Sequence, residues 1–150
     1  MAKLEVSRTE LPSTCILDTS VLVKWFRQGE VFGEPALNLR TAFLDGLIII
    51  ALPVLAAFEL ANVLRYNKDL TTHQVQEAIR SLFDMDMAWI EPAPPLMSRG
   101  IEIARSFDIT VYDAAFVALA EGMGAVSITA DERLAQRLER LPYVRFLGNI

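Results

Sequence analysis

The sequence predicts a single α/β domain, a parallel sheet of about five strands with helices packed on both faces. At 150 residues the chain sits near the commonest domain size and can bury one sizeable core. Short apolar runs alternate with longer helix-forming stretches from one end to the other. The short runs are apolar throughout instead of alternating with polar residues, which marks strands covered on both faces.

Taken in order, residues 1–13 read as a polar N-terminal extension closed by Pro12, and the domain proper is expected over residues 14–150. Cys15, Ile16 and Leu17 make a first buried strand that stops at Asp18. Thr19 and Ser20 supply helix-start hydroxyls, and a short helix continues through Phe26. Gly29 and Gly33 punctuate a loop; Pro35 suits a first helical turn, and Ala36 to Leu44 form a helix that Gly46 ends. Leu47 to Leu52 is the clearest buried strand, with Pro53 as its stop. A helix follows from Leu55 to about Tyr66. Thr71 and Gln74 are spaced as a capping box, opening a helix to about Phe83. Met87 to Ile90 is a third strand and Leu96 to Phe107 a helix behind a proline-rich entry. Thr110 opens an alanine-rich helix over Val111 to Gly122, suited to close packing. Ala125 to Ile128, Asp131 to Leu138 and Tyr143 to Phe146 complete the chain as strand, helix and fifth strand.

Composition removes several function classes. The mean hydropathy of +0.32 raises the question of a membrane span. The longest apolar stretch, Leu47 to Leu60, is broken by Pro53, carries Glu59, and falls short of the roughly 20 residues a bilayer requires. The polar start contains no secretory signal, so a soluble, cytoplasmic protein is expected. One cysteine rules out an internal disulfide and a cysteine-rich zinc site, and Cys15 reads as a buried hydrophobe. The lone histidine, His73, reads as a solvent-facing residue of a first helical turn. Nucleophilic Ser-His or Cys-His chemistry has almost no raw material here. The net charge of −5 opposes passive nucleic-acid binding, unless acids hold a divalent cation that inverts the local sign.

Ligands of open α/β sheets bind at the carboxyl ends of the strands. Four acids lie close to such ends: Asp18, Glu59, Asp113 and Asp131. Each has an ordinary reading. Asp18 suits an N-cap, Asp113 the acidic slot of a capping box opened by Thr110, and Asp131 a first-turn acid inside a box made by Thr129 and Glu132. Glu59 lies on a helix apolar nearly all round, where a carboxylate is costly unless it is paired, coordinated or at an edge; Asn62 or Arg65 could satisfy it. Gathered in one place, the four would raise one another's pKa and call for a hard cation, Mg²⁺ or Mn²⁺, able to activate water for attack on a phosphate.

The motifs carrying these acids resemble those of PIN-domain nucleases. Ile16-Leu17-Asp18-Thr19-Ser20 resembles the opening motif, and Glu59-Leu60-Ala61-Asn62 the second. Thr110-Val111-Tyr112-Asp113-Ala114-Ala115 is similar to the third and is the most specific, while Thr129-Ala130-Asp131-Glu132-Arg133-Leu134 is similar to the fourth. The likeness covers residues 14–147. It implies a sheet ordered 3-2-1-4-5, a homodimer, and cleavage of single-stranded or structured RNA with Mg²⁺ or Mn²⁺, leaving a 3′-hydroxyl and a 5′-phosphate. It further implies a VapC-type toxin neutralised by a VapB-type antitoxin. By matching positions, Asp18, Glu59, Asp113 and Asp131 carry over as catalytic metal-site residues, and Thr19, Asn62 and Thr129 as supporting groups. Leaving out the four acids, 15 acidic residues face 14 basic ones, so the rest of the chain is nearly neutral. Lys24, Arg27, Arg65 and Arg133 lie near the acids along the chain as candidate substrate contacts, although each is more simply a solvated charge.

Two other readings stay open. A PIN-like scaffold could bind RNA or protein without catalysis. A phosphotransfer receiver or an aspartate-nucleophile phosphatase would also use Mg²⁺. Those folds need an acidic pair after the first strand or a second Asp two residues past the nucleophile, and Asp18 is followed by Thr19 and Ser20.

Overall fold

Five parallel strands hydrogen-bond in the order β3-β2-β1-β4-β5, as expected. The computed structural model describes residues 13–150, so all of the expected N-terminal extension except Ser13 lies outside the described residues. The strands are β1 (Thr14–Leu17), β2 (Ile49–Pro53), β3 (Ala88–Ile90), β4 (Val126–Thr129) and β5 (Val144–Phe146). Seven α-helices connect them among the described residues: α1 (Thr19–Leu22), α2 (Gly33–Leu44), α3 (Leu55–Arg65), α4 (Thr72–Asp84), α5 (Pro94–Phe107), α6 (Val111–Met123) and α7 (Glu132–Arg137). Short 3₁₀ turns follow α1 at Val23–Trp25 and β5 at Leu147–Asn149.

Successive side chains of a strand point to opposite faces of the sheet. Cys15, Ile16 and Leu17 of β1 are all fully buried, so both faces of the central strand are covered. Helix α6 packs on β1, β2 and β4, with α5 beside it, while α3 packs on β2 and α4 on α3. The alanine pattern of α6 has the expected purpose. Ala114, Ala118 and Ala120 are buried and let the backbone come close, while Phe116 and Leu119 fill the core beneath. A second cluster joins Ile103 and Ala104 of α5, Val117 of α6 and Leu134 of α7. No helix of the described residues is long and apolar enough to cross a membrane.

Several boundaries differ from those expected, each for a local reason. β2 begins at Ile49, two residues late, because Leu47 belongs to the cap of α2. Gly46 at φ +74° turns the chain, its N–H reaching Phe43 O at 3.0 Å while Leu47 N–H reaches Ala42 O at 2.9 Å, a Schellman closure. Pro53 does not stop the strand but is its last residue, opposite Ile90. Helix α5 starts at Pro94, with proline in its first turn, where a missing N–H costs nothing. The Thr71–Gln74 capping box is present in both directions. Cys15 is buried, and desolvation raises its thiol to about 11, which keeps it protonated and inert at neutral pH. His73 is exposed in the first turn of α4.

Candidate functional site

The order of the sheet reverses at β1, whose sheet neighbours β2 and β4 lie on either side of it. The carboxyl ends of β1 and β4 therefore open into the crevice where ligands of such sheets bind. Asp18 is the first residue past β1, its backbone N–H still held by Ile128 O at 2.9 Å. It has the extended backbone of an N-cap, yet its side chain caps nothing. Instead Asp18 Oδ2 accepts from Ser20 Oγ at 2.5 Å and from Thr129 Oγ1 at 3.0 Å. Asp18 thus stands at the N-cap position while the hydrogen bonds of its carboxylate go chiefly to two hydroxyls.

Those two hydroxyls tie together two loops far apart in sequence. Thr129 Oγ1 accepts from the backbone N–H of Asp131 at 3.0 Å, and Ser20 Oγ accepts from the N–H of Ala130 at 2.9 Å. Each hydroxyl has one proton, and each donates it to Asp18. The 3.3 Å approach of Ser20 Oγ to Thr129 Oγ1 is thus a contact with no proton left to share. The result is a fixed sequence of donors running from the β4–α7 loop onto a single carboxylate oxygen. Asp18 is only 7% exposed, and burial pushes its carboxyl up from the ordinary value, opposed by the Ser20 and Thr129 hydroxyls and by the backbone N–H groups of Ser20 and Thr19.

Glu59 reaches the same place from α3. Its Oε1 accepts from Thr19 Oγ1 at 2.9 Å, so neither Asn62 nor Arg65 satisfies it. Asn62 faces outward and accepts from Arg65 Nε at 2.9 Å. Burial raises the Glu59 carboxyl, the Thr19 hydroxyl opposes, and the charges of Asp18 and Asp113 raise it further. Asp113 lies in the first turn of α6, where Thr110 Oγ1 accepts its N–H at 3.0 Å. Burial raises its carboxyl first, then the charge of Asp18; the Thr110 hydroxyl opposes, and Asp131 adds a smaller push upward.

Asp131 departs from expectation. Thr129 is the last residue of β4, paired with Phe146, and does not cap α7. Asp131 itself is the N-cap, its Oδ1 accepting from Leu134 N–H at 3.1 Å. It is exposed and borders a groove of about 430 Å³ shared with Thr110, Asp113 and Arg133.

The fold thus brings Asp18, Glu59 and Asp113 within electrostatic reach of one another, with Asp131 in reach of Asp113, and sets Thr19 on Glu59 and Thr129 on Asp18. Asn62 shares the helix of Glu59 without touching the group. Ser20 is the residue that sequence reasoning missed as a supporting group, although it stands in the first motif as the second position after Asp18. Among the described residues, no ion pair reaches any of the four acids. As the side chains lie, no three acidic, histidine or cysteine groups of the described residues stand close enough to ligate one ion. The donor chemistry still suits a hard divalent cation. All donors are oxygens, and neighbouring carboxylate charges raise the pKa of Glu59 and Asp113.

The family model for the PIN domain matches residues 15–139. No curated protein matches the chain in sequence. Among solved structures, the chain is similar to a toxin–antitoxin complex from Klebsiella pneumoniae, with 17% identity, a TM-score of 0.67, and 89% of this chain covering 97% of that one. It is similar to VapBC2 from Rickettsia felis bound to a promoter DNA fragment, with 15% identity and a TM-score of 0.66 over 89% and 96% of the two chains. A third is VapC20 from Mycobacterium tuberculosis, a sarcin–ricin-loop-cleaving toxin, at 13% identity and a TM-score of 0.64 over 81% and 93%.

Proposed function

This chain belongs to the PIN-domain family, and on that premise we propose that it is a cytoplasmic, divalent-cation-dependent endoribonuclease, the toxin of a VapBC-type pair. The single observation that supports the reading is that Glu59 and Asp113 feel the charge of Asp18, that Asp113 also feels that of Asp131, and that no ion pair among the described residues engages any of the four. Asp18, Glu59, Asp113 and Asp131 would hold Mg²⁺ or Mn²⁺. That ion, when bound, activates a water and offsets the charge that develops on the phosphate. The chain's own part is orientation. Ser20 and Thr129 both donate to Asp18 Oδ2, so its position is set before any ligand arrives. Thr19 holds Glu59 toward the same centre.

Single-stranded or looped RNA as substrate is supported by the sarcin–ricin-loop-cleaving neighbour, and a VapB-type antitoxin by the toxin–antitoxin neighbours. A homodimer is supported by the exposed apolar side chains of Met97, Ile101, Val111 and Tyr112.

One observation favours the non-catalytic scaffold instead. No three of the carboxylates stand at ligating spacing among the described residues. Cleavage of a fluorescent single-stranded RNA with Mg²⁺ or Mn²⁺ decides between the two. The expected result is cation-dependent cutting that Asp18→Asn reduces about 100-fold or more. Cutting by Asp18→Asn at the wild-type rate refutes the assignment, and no cutting by the wild type favours the scaffold.

A further inference from the structure

Of the four cations that lie near the acids along the chain, the fold leaves one unengaged beside them. Lys24 and Arg27 converge on Glu30 at 3.9 and 3.5 Å, and Arg27 also donates to Val63 O at 3.4 Å. Arg65 donates to Asn62 and to the Tyr66 hydroxyl, and its guanidinium lies 3.8 Å from the centre of the Tyr66 ring. Arg133 differs from these three. It lines the same groove as Thr110, Asp113 and Asp131. Its side chain is exposed. Among the described residues, no hydrogen bond, ion pair or ring contact engages its guanidinium. Arg137, which also lines the groove, is already committed to Asp108, donating to its backbone O at 2.5 Å and lying 3.4 Å from its Oδ2.

An unpaired guanidinium is planar and presents several N–H donors in a fixed fork that fits a phosphate. The groove therefore carries both signs within one short span, carboxylates suited to a cation and a guanidinium suited to an anion. A polynucleotide needs both. The phosphodiester being cut meets the acidic centre, and the next phosphate along the strand must be held a short distance away. We propose that Arg133 binds an RNA phosphate flanking the scissile one and so sets how the strand lies across the carboxylates.

This inference rests on the ribonuclease reading, and one experiment separates the two. Cleavage of a single-stranded RNA carrying a fluorophore and a quencher is followed with Mg²⁺, using the full chain and its Arg133→Gln, Arg133→Lys and Arg80→Gln variants. KCl is varied over about 50 to 200 mM. Arg80 is exposed on α4, paired among the described residues with Glu77, and controls for loss of one positive charge. A phosphate contact acts on binding and not on the bond being cut. Arg133→Gln is therefore expected to raise KM about tenfold with kcat nearly unchanged. It should also flatten the slope of log kcat/KM against log salt by about 0.7, the share of one contact to a single strand. Arg133→Lys, which keeps the charge, should retain most of the salt slope, and Arg80→Gln should match the wild type. Unchanged KM and slope in Arg133→Gln overturn the inference while leaving the ribonuclease reading intact. A loss confined to kcat overturns it too, because it would place Arg133 in the chemistry and not in strand binding. A wild type that does not cut RNA removes the reading beneath both.

Discussion

A hydroxyl has one proton to give, and at this site Ser20 and Thr129 both give theirs to the same oxygen of Asp18. That arithmetic makes Asp18 the fixed member of the group, and Ser20 is the more exposed of its two supports. Thr129 is 2% exposed within the sheet, whereas Ser20 bridges Asp18 to the N–H of Ala130, next to Asp131. Ser20→Ala removes a donor from a buried carboxylate and leaves the Ala130 N–H without its acceptor. A stability loss of about 1–3 kcal/mol is expected. Groups that orient a metal ligand typically carry about 10–100-fold in activity or cation affinity. The concentration of Mn²⁺ needed for half-maximal cleavage should therefore rise by about that factor, and Ser20→Thr, which keeps the hydroxyl, should recover most of it. An unchanged Mn²⁺ requirement in Ser20→Ala would mean that the network is structural only. Ser20 was visible in the sequence as a helix-start hydroxyl. Its reach to a loop 110 residues away was not, because sequence spacing says nothing about which two strands adjoin.

At the scale of elements, the packing rests on α6. This helix sets Asp113 at its first turn and buries its alanine face against the sheet and α5. Among the described residues, Phe116 is the largest fully buried side chain. Its replacement by alanine leaves a cavity under the turn that carries Asp113, and a cost of about 3–5 kcal/mol is expected by chemical denaturation. A cost under about 1 kcal/mol would show that the core can collapse onto the space and that α6 is not anchored there. The elements themselves were legible in the sequence because their signals are local: fully apolar strands, the Thr71–Gln74 box, and alanines along α6. What failed were boundaries decided by tertiary partners. Leu47 looks like strand and serves a helix cap, since the Gly46 turn commits its N–H to Ala42. Thr129 looks like a cap and stays in β4, its hydroxyl already given to Asp18. Asp131 then takes the cap in its place.

Over the whole molecule, the net negative charge is compatible with the proposed action on RNA if the excess charge is concentrated where a cation would sit. Burial raises the carboxyls of Asp18, Glu59 and Asp113 above their ordinary values, and the charges of neighbouring carboxylates raise Glu59 and Asp113 further. A carboxyl with a raised folded-state pKa favours folding at acidic pH, and that contribution is lost as pH rises through the folded pKa. Without divalent cation, then, these groups weaken the fold at neutral pH relative to mildly acidic pH. A divalent cation takes over the proton's role and should restore stability where the carboxyls are ionised. The most direct test is thermal unfolding of the wild type and Asp18→Asn with and without Mn²⁺, at mildly acidic and slightly alkaline pH. At a concentration about 100 times its dissociation constant, a bound ion adds about 2.7 kcal/mol, or roughly 5–10 °C in Tm for a domain of this size. The expected result is a gain of that order in the wild type at slightly alkaline pH, a smaller gain at mildly acidic pH, and almost none in Asp18→Asn. An equal gain in both proteins, or none in the wild type, would contradict a divalent-cation centre at these four carboxylates.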